Sequence, residues 1–184
     1  MKRIKYFLTT ITILGFCFIN VSFNKEQDIV THYYIGESKV MTPDSVNLGT
    51  FVILTKQIVN KIESTITMQA ISLDQKGETK EYNYTMYISD PKYTLKDANG
   101  EYFGSGRLHG KEWMWTYWDY NIEFKNPVGK MIGKDYVSLV GLIVNKDFYG
   151  ADGTKLMHYH EKHKFLTKEA FEILYMQVLK GSTK

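Results

Sequence analysis

The sequence has few of the features that mark disulfide-bonded, multidomain or catalytic proteins. Cys17 is the only cysteine among the 184 residues, and there are only three prolines. No low-complexity linker, long run of like charge or internal repeat divides the chain. Residues after Cys17 therefore cannot form an internal disulfide, so the stability of a single domain must come from its hydrophobic core. Because we find no catalytic or cofactor signature, we predict no catalytic residue and no cofactor.

The first 23 residues have the pattern of an export signal. Lys2, Arg3 and Lys5 precede a stretch, residues 6–23, that carries no charge and is dominated by Phe, Leu, Ile and Val. A basic segment followed by an apolar one is typical of a signal peptide, and this one is slightly short for a transmembrane helix. We predict that residues 1–23 are a cleaved signal peptide, that the protein is secreted or periplasmic, and that no integral membrane span remains after cleavage.

The alternative is a lipoprotein anchored through Cys17. The sequence Leu14-Gly15-Phe16-Cys17 resembles the box that precedes a lipidated bacterial cysteine. The bulky Phe16 fits that box poorly. We therefore favour cleavage of the signal without lipidation.

Little net charge remains once the signal is removed. The whole chain has 23 Lys and Arg against 20 Asp and Glu, and three of the basic residues, Lys2, Arg3 and Lys5, belong to the signal. A formally neutral domain offers no basic patch for nucleic acid or for an anionic membrane surface. We expect no nucleic-acid partner.

The remainder of the chain is predicted to be mainly β. Residues 24–48 form a lead-in segment with a first strand at about 32–40, and residues 49–184 form the main domain. From residue 49 onward apolar and polar residues alternate, and turn signals such as Asn99-Gly100 separate the runs. Later strands are predicted at 62–73, 81–89, 101–108, 112–125, 135–145 and 154–165. We predict an all-β fold, an antiparallel up-and-down meander of about eight strands that closes into a barrel, because closure removes exposed sheet edges.

A single helix is predicted after the last strand. Thr167 can cap the segment 168–179. Its apolar residues recur at helical spacing and should pack on the barrel. They are Phe171, Leu174, Tyr175 and Val178.

The aromatic segment 113–124 carries the most information about the interior. If His109-Gly110 forms a two-residue hairpin loop, Arg107 pairs with Glu112 and each of two preceding glycines faces a tryptophan. The even-numbered residues of the segment are the more apolar set, so their face is predicted to be the interior. In this register Arg107 and Glu112 also lie on the inner face, near one end.

The aromatic residues of the predicted inner face outline a ligand pocket, with a charged pair at its mouth. The predicted ligand-binding residues are Tyr82, Tyr84, Phe103, Arg107, Glu112, Trp118 and Tyr120. Arg107 would anchor an anionic or polar end of the ligand. The alternative is that the aromatics fill an ordinary barrel core and that Arg107 and Glu112 form an ordinary ion pair.

The histidine-rich segment near residue 160 is a weaker candidate. Imidazoles are common zinc ligands, but His158 and His160 share a strand face with lysines, so we predict a solvated surface and no metal site. Glu161 and His163 share the opposite face and can form an acid/base pair. One carboxylate beside one histidine, however, specifies no reaction.

The meander, the aromatic strand and the closing helix that begins at Leu166-Thr167-Lys168-Glu169 together resemble lipocalin-like (calycin) β-barrels among exported bacterial proteins. Residues 49–179 carry this pattern. The resemblance implies a barrel that can hold an apolar ligand. The Gly-x-Trp motif that opens a typical lipocalin is absent near the first strand, so no functional residue is transferred, and the fold alone does not determine function.

Three functions fit the sequence. We favour an exported protein that holds a small hydrophobic or amphipathic ligand inside an aromatic-lined barrel. The second is a structural or interaction protein of the cell envelope, in which Trp113 and Trp115 form an exposed patch for a partner. The third is a hydrolase or isomerase that uses the same cavity, with Arg107, Glu112 and His109 as its polar groups.

Overall fold

The computed structural model describes residues 28–125, 128–138 and 141–181, and the predicted signal peptide lies outside them. Within these residues, ten strands and one helix follow one another. The strands are β1 (Ile29–Met41), β2 (Asn47–Asn60), β3 (Thr65–Leu73), β4 (Thr79–Ser89), β5 (Lys92–Asp97), β6 (Tyr102–Lys111), β7 (Met114–Lys125), β8 (Val128–Ser138), β9 (Gly141–Gly150) and β10 (Lys155–Leu166), and the helix is α1 (Lys168–Gly181).

The strands close into a barrel. Each strand pairs antiparallel with the strands before and after it, and β1 also pairs with β10. Tyr34 lies opposite Phe165 and Gly36 opposite His163, which sets the register of the closing pair. The predicted all-β meander barrel with a C-terminal helix is confirmed, with ten strands where about eight were expected.

Short strands and weak turn signals account for the difference in strand number. β5 has only six residues and directly follows Pro91, so its alternation is too short to stand out. The predicted strand 135–145 covers the end of β8 and the start of β9, because no Asn-Gly type signal separates the two. The first strand of the barrel, β1, comes from the segment that was predicted to be a lead-in.

The hairpin between β6 and β7 differs from the predicted one. Its turn lies at Glu112 and Trp113, where Trp113 has a φ of 58°, and Arg107 is opposite Asp119 rather than Glu112. The two strands approach each other so closely at Gly106 that a Cβ there would collide with the carbonyl oxygen of Asp119. The predicted register is therefore wrong, and the observed one moves Arg107 from the inner to the outer face of the barrel.

α1 covers the outer face of β1, β2 and β3. The hydroxyl of Thr167 accepts a hydrogen bond from the backbone N–H of Ala170 at 3.2 Å, which confirms the predicted cap. The apolar stripe of the helix packs on the barrel as predicted, with Phe171, Leu174 and Val178 against Ile35, Leu54 and Ile71. In the described part of the chain, no helix is long and apolar enough to cross a membrane.

Candidate functional site in the barrel interior

Solvent reaches part of the barrel interior from one end. The turns that follow odd-numbered strands, such as 74–78, lie at one end, which we call the mouth, and those that follow even-numbered strands, such as 61–64, lie at the base. Tyr82 faces inward near the mouth yet is 43% exposed, whereas the inward-facing Tyr93 and Leu108 near the base are 2% and 3% exposed. Solvent therefore reaches the interior at Tyr82, whereas Val40 and Phe148, which also face inward toward this end, are 5% and 8% exposed. We call the barrel interior below the mouth the cup.

Aromatic rings line the cup. The rings of Tyr84 and Phe103 pack edge to face with their centroids 5.8 Å apart, and those of Phe124 and Phe148 are also 5.8 Å apart. Phe103 is able to face inward because a register shift between β5 and β6 takes it out of the strand alternation. These rings give the cup an apolar wall.

Charged and polar side chains meet inside the barrel, where β8, β9, β10 and β1 are neighbours. We call this set the charged cluster; it consists of Ser38, Asp135, Lys146, Glu161 and His163. The Oε1 atom of Glu161 accepts a hydrogen bond from Ser38 Oγ at 3.1 Å and lies 2.5 Å from Lys146 Nζ, and its Oε2 atom lies 3.0 Å from His163 Nε2. Glu161 thus connects three of the other four members.

Burial and neighbouring charges set the protonation of the charged cluster. Burial alone would raise the pKa of Glu161, but the Lys146 ammonium and the hydrogen bond with His163 outweigh it and hold the pKa at about 2. Burial would lower the pKa of Lys146, but the Glu161 carboxylate raises it above its ordinary value. Burial raises the pKa of Asp135 to about 7, with Lys146 opposing the shift. Glu161 and Lys146 are both charged at neutral pH, while Asp135 titrates close to it.

One oxygen of Asp135 is free. Its Oδ1 atom has no contact with solvent and no hydrogen-bond partner in the described part of the chain. Beside it lies a small cavity of about 20 Å³, lined by Gln57, Ile66, Met68, Tyr84, Met86, Trp118 and Asp135. A cavity of this size has room for about one water-sized group. The free oxygen can therefore accept a hydrogen bond from a donor that enters the cup.

The order of contacts in the charged cluster does not suit nucleophilic catalysis. In a hydrolytic triad the imidazole contacts the serine hydroxyl and removes its proton. Here Ser38 donates to Glu161, and His163 binds the other oxygen of the same carboxylate. The serine hydroxyl therefore contacts an ionised carboxylate of low basicity, and this arrangement does not favour a hydrolase.

The structure brings five of the seven predicted ligand-binding residues to the barrel interior and leaves two outside. The interior five are Tyr82, Tyr84, Phe103, Trp118 and Tyr120. The predicted inner face of β7 is confirmed. Arg107 is exposed on the outer face of β6 and Glu112 is exposed in the β6–β7 turn, so the predicted charged pair does not form. That any of the seven binds a ligand stays a prediction.

Three members of the charged cluster were not selected from the sequence. Ser38, Asp135 and Lys146 each occupy an inward position on a strand whose other inward residues are mostly apolar or glycine. On β9, for example, Lys146 shares its face with Val144 and Phe148. The signal in the sequence was a single polar or charged residue among the apolar inward residues of a strand. It can be recognised only when the strand boundaries are known.

His158 and His160 lie on the outer face of the barrel, as their alternation along the strand predicted. His158 Nδ1 is 2.7 Å from Asp147 Oδ1, and His160 Nδ1 is 2.8 Å from Asn145 Oδ1, both on the outer face. Within residues 28–125, 128–138 and 141–181, no group of three His, Cys, Asp or Glu side chains is placed to hold a metal ion.

The tryptophan pair proposed as an envelope patch lies at the base. The rings of Trp113 and Trp115 are 5.0 Å apart, and Trp115 Nε1 donates to Asp90 Oδ1 at 3.2 Å. Both side chains are half-buried. α1 does not cover them, since it packs on β1–β3.

His163 rests on Gly36, which gives a direct test of how the charged cluster is held. A Cβ at Gly36 would collide with the imidazole. We expect Gly36→Ala to push the ring away from Glu161 and to lower the free energy of unfolding by about 1–3 kcal/mol in urea denaturation. Gly49→Ala is the matched control, because the nearest atom to a Cβ there is 3.8 Å away. Equal losses in the two variants would contradict this role for Gly36.

No protein-family model matches the chain, and no similar protein was found among curated sequences. The class of protein is therefore defined by the structure itself. It is a closed antiparallel meander barrel of ten strands with one C-terminal helix, an architecture compatible with a lipocalin-like fold.

Proposed function

We propose that this protein binds a small amphipathic molecule, which enters the cup through the mouth and directs its polar end at the charged cluster. We propose further that it does so outside the cytoplasm, on the strength of the signal-like residues 1–23. The observation that carries the binding proposal is a set of converging charged side chains inside an aromatic-walled barrel.

The stability of the fold alone does not explain why the charged cluster is present. A buried ion pair is seldom more stable than apolar side chains of similar volume, because both charges must leave water. Glu161 is 5% exposed, and a free carboxylate oxygen of Asp135 lies close by. Perturbed, converging ionisable groups inside a concavity are a frequent property of binding sites.

The geometry also indicates the chemistry of the ligand. The rings of Tyr82 and Phe103 can contact an apolar body at the mouth. At the floor, Lys146 keeps 21% of its side chain exposed although it is paired with Glu161. Asp135 supplies an unpaired acceptor. Because the inner cavity measures only about 20 Å³, a polar tip such as a hydroxyl or amine fits there, and the larger part of the molecule must lie nearer the mouth.

Fluorescence titration with N-phenyl-1-naphthylamine, an apolar probe with one N–H donor, tests this proposal. We expect its emission to rise on binding to the wild-type barrel and the affinity to fall about three- to tenfold in Tyr82→Ala, which removes one aromatic contact. Tyr136→Ala is the matched control, since Tyr136 has nearly the same exposure, 41% against 43%, but faces outward.

Native mass spectrometry of the protein purified from its own host provides a second measurement. We expect a bound small molecule that is retained in Tyr136→Ala and depleted in Tyr82→Ala. The absence of both a retained molecule and a probe signal, or an equal effect of the two substitutions, would refute binding in the cup.

A further inference from the structure

A groove on the outside of the barrel is separate from the cup. It has a volume of about 760 Å³ and crosses the outer face of β4 to β8. Cationic, uncharged polar and aromatic side chains lie along it. They include Tyr87, Lys92, Thr94, Ser105, Arg107 and Asn121.

Two cations face each other across the strands that form this groove. Lys92 on β5 lies directly opposite Arg107 on β6. Like charges in this position destabilise a sheet. Among the described residues, neither cation has a carboxylate within 4 Å. No carboxylate of the described residues therefore pairs directly with Lys92 or Arg107.

The carboxylate that lies opposite Arg107 on β7 is engaged in other contacts. Asp119 lies opposite Arg107 on β7, but its Oδ1 accepts a hydrogen bond from the Arg107 backbone N–H at 2.9 Å and its Oδ2 lies 2.9 Å from His109 Nε2. On the far side of Asp119, Lys134 adds another positive charge to the same cross-strand row. The row therefore contains three cations and one carboxylate.

Uncharged hydrogen-bonding groups form the next row of the groove. Thr94, Ser105 and Asn121 lie opposite one another on β5, β6 and β7. Beside them the exposed ring of Tyr87 lies opposite Thr94 and has Lys96 Nζ 5.0 Å from its centroid. Hydroxyl and amide groups next to an aromatic face can bind the hydroxyls and the apolar face of a ring.

We propose that this groove binds a small organic anion, namely a hydroxylated ring that carries a phosphate or carboxylate. The oxyanion lies between Lys92 and Arg107, where the guanidinium can donate two parallel hydrogen bonds and the ammonium adds a point charge. The ring extends over Thr94, Ser105 and Asn121 toward Tyr87. Binding would relieve the cross-strand repulsion that the folded barrel otherwise retains.

Titration of the ¹⁵N-labelled protein with glucose 6-phosphate, followed by amide chemical shifts, tests the proposal. We expect saturable binding, with shifts confined to the strands that form the groove, β4 to β8. Glucose without the phosphate should bind more weakly, as should inorganic phosphate without the ring. In the double variant Lys92→Gln with Arg107→Gln, the dissociation constant should rise about tenfold or more, because charged hydrogen bonds are lost.

Lys162→Gln is the control, because it removes an exposed charge from the outer face of β10, away from the groove. The amide spectrum of each variant without the probe establishes that the barrel is folded, so a loss of binding cannot be confused with a loss of structure. Undiminished binding in the double variant, shifts outside the groove, or equal affinity for inorganic phosphate would overturn the proposal. Since Tyr82 faces the cup, Tyr82→Ala should leave this titration unchanged, and the two sites can fail independently.

Discussion

Glu161→Gln is expected to lower the free energy of unfolding by about 3 kcal/mol. The substitution keeps the shape of the side chain but removes the charge that lies 2.5 Å from Lys146 Nζ. The ammonium would then remain inside the barrel with only the partly protonated Asp135 nearby. Removing one partner of a buried pair is far more costly than removing the pair, because the other charge is left uncompensated. Urea denaturation of both proteins measures the difference.

A surface pair on β1 provides the control. Lys39 Nζ lies 3.4 Å from Glu37 Oε1, but about half of each side chain is exposed. We expect Glu37→Gln to cost less than about 1 kcal/mol. Adding Lys146→Met to Glu161→Gln should recover part of the stability, since the uncompensated ammonium is then gone. If Glu161→Gln were no more harmful than Glu37→Gln, the ion pair would not be buried as the structure describes.

Glu161→Gln should also change how the free energy of unfolding depends on pH. The folded-state pKa of Glu161, about 2, is below its ordinary value of 4.5, so the stabilisation it provides is complete above pH 4.5 and is lost as the pH falls toward 2. In Glu161→Gln, the free energy of unfolding should lack this part of its decline with falling pH. The effect of Asp135 on stability has the opposite pH dependence. Its pKa is raised from 3.8 to about 7, so its contribution to the free energy of unfolding becomes less favourable as the pH rises through that range. Below pH 4, the difference in unfolding free energy between the wild type and Glu161→Gln therefore reports on Glu161 rather than on Asp135.

The fold was readable from local patterns, because alternation and turn chemistry act within a few residues. The period of two predicted the inward set of β4, from Tyr82 to Ile88, and the period of 3.6 predicted the buried stripe of α1. The β6–β7 register was not readable in this way. It depends on how closely two strands approach at Gly106, which is a property of the assembled sheet.

The charged cluster was even harder to predict from local sequence patterns than the β6–β7 register. Glu161 and His163 are two residues apart, so their shared face could be predicted from sequence alone. Ser38 lies 123 residues from Glu161, and the two meet only because β1 closes the barrel against β10. Closure is a global event, and no local pattern of Ser38 or Lys146 indicates which strand will lie beside it. Sequence reasoning therefore found the aromatic wall and the Glu161–His163 pair, and it missed Ser38, Asp135 and Lys146.

Leu174→Ala should cost about 2–5 kcal/mol, because it leaves a cavity between α1 and the barrel. Leu174 and Leu54 are each only 1% exposed, and Leu174 packs in the cluster that contains Leu54 and Ile71. Ile173 is the matched control: it is adjacent on the same helix and 53% exposed, so Ile173→Ala should change stability by about 0.5 kcal/mol or less. Urea denaturation followed by tryptophan fluorescence compares the two, and similar losses would show that α1 does not stabilise the barrel. Because α1 packs on the outer face of β1–β3, a folded Leu174→Ala variant should still bind the naphthylamine probe, which separates the stabilising role of the helix from binding in the cup.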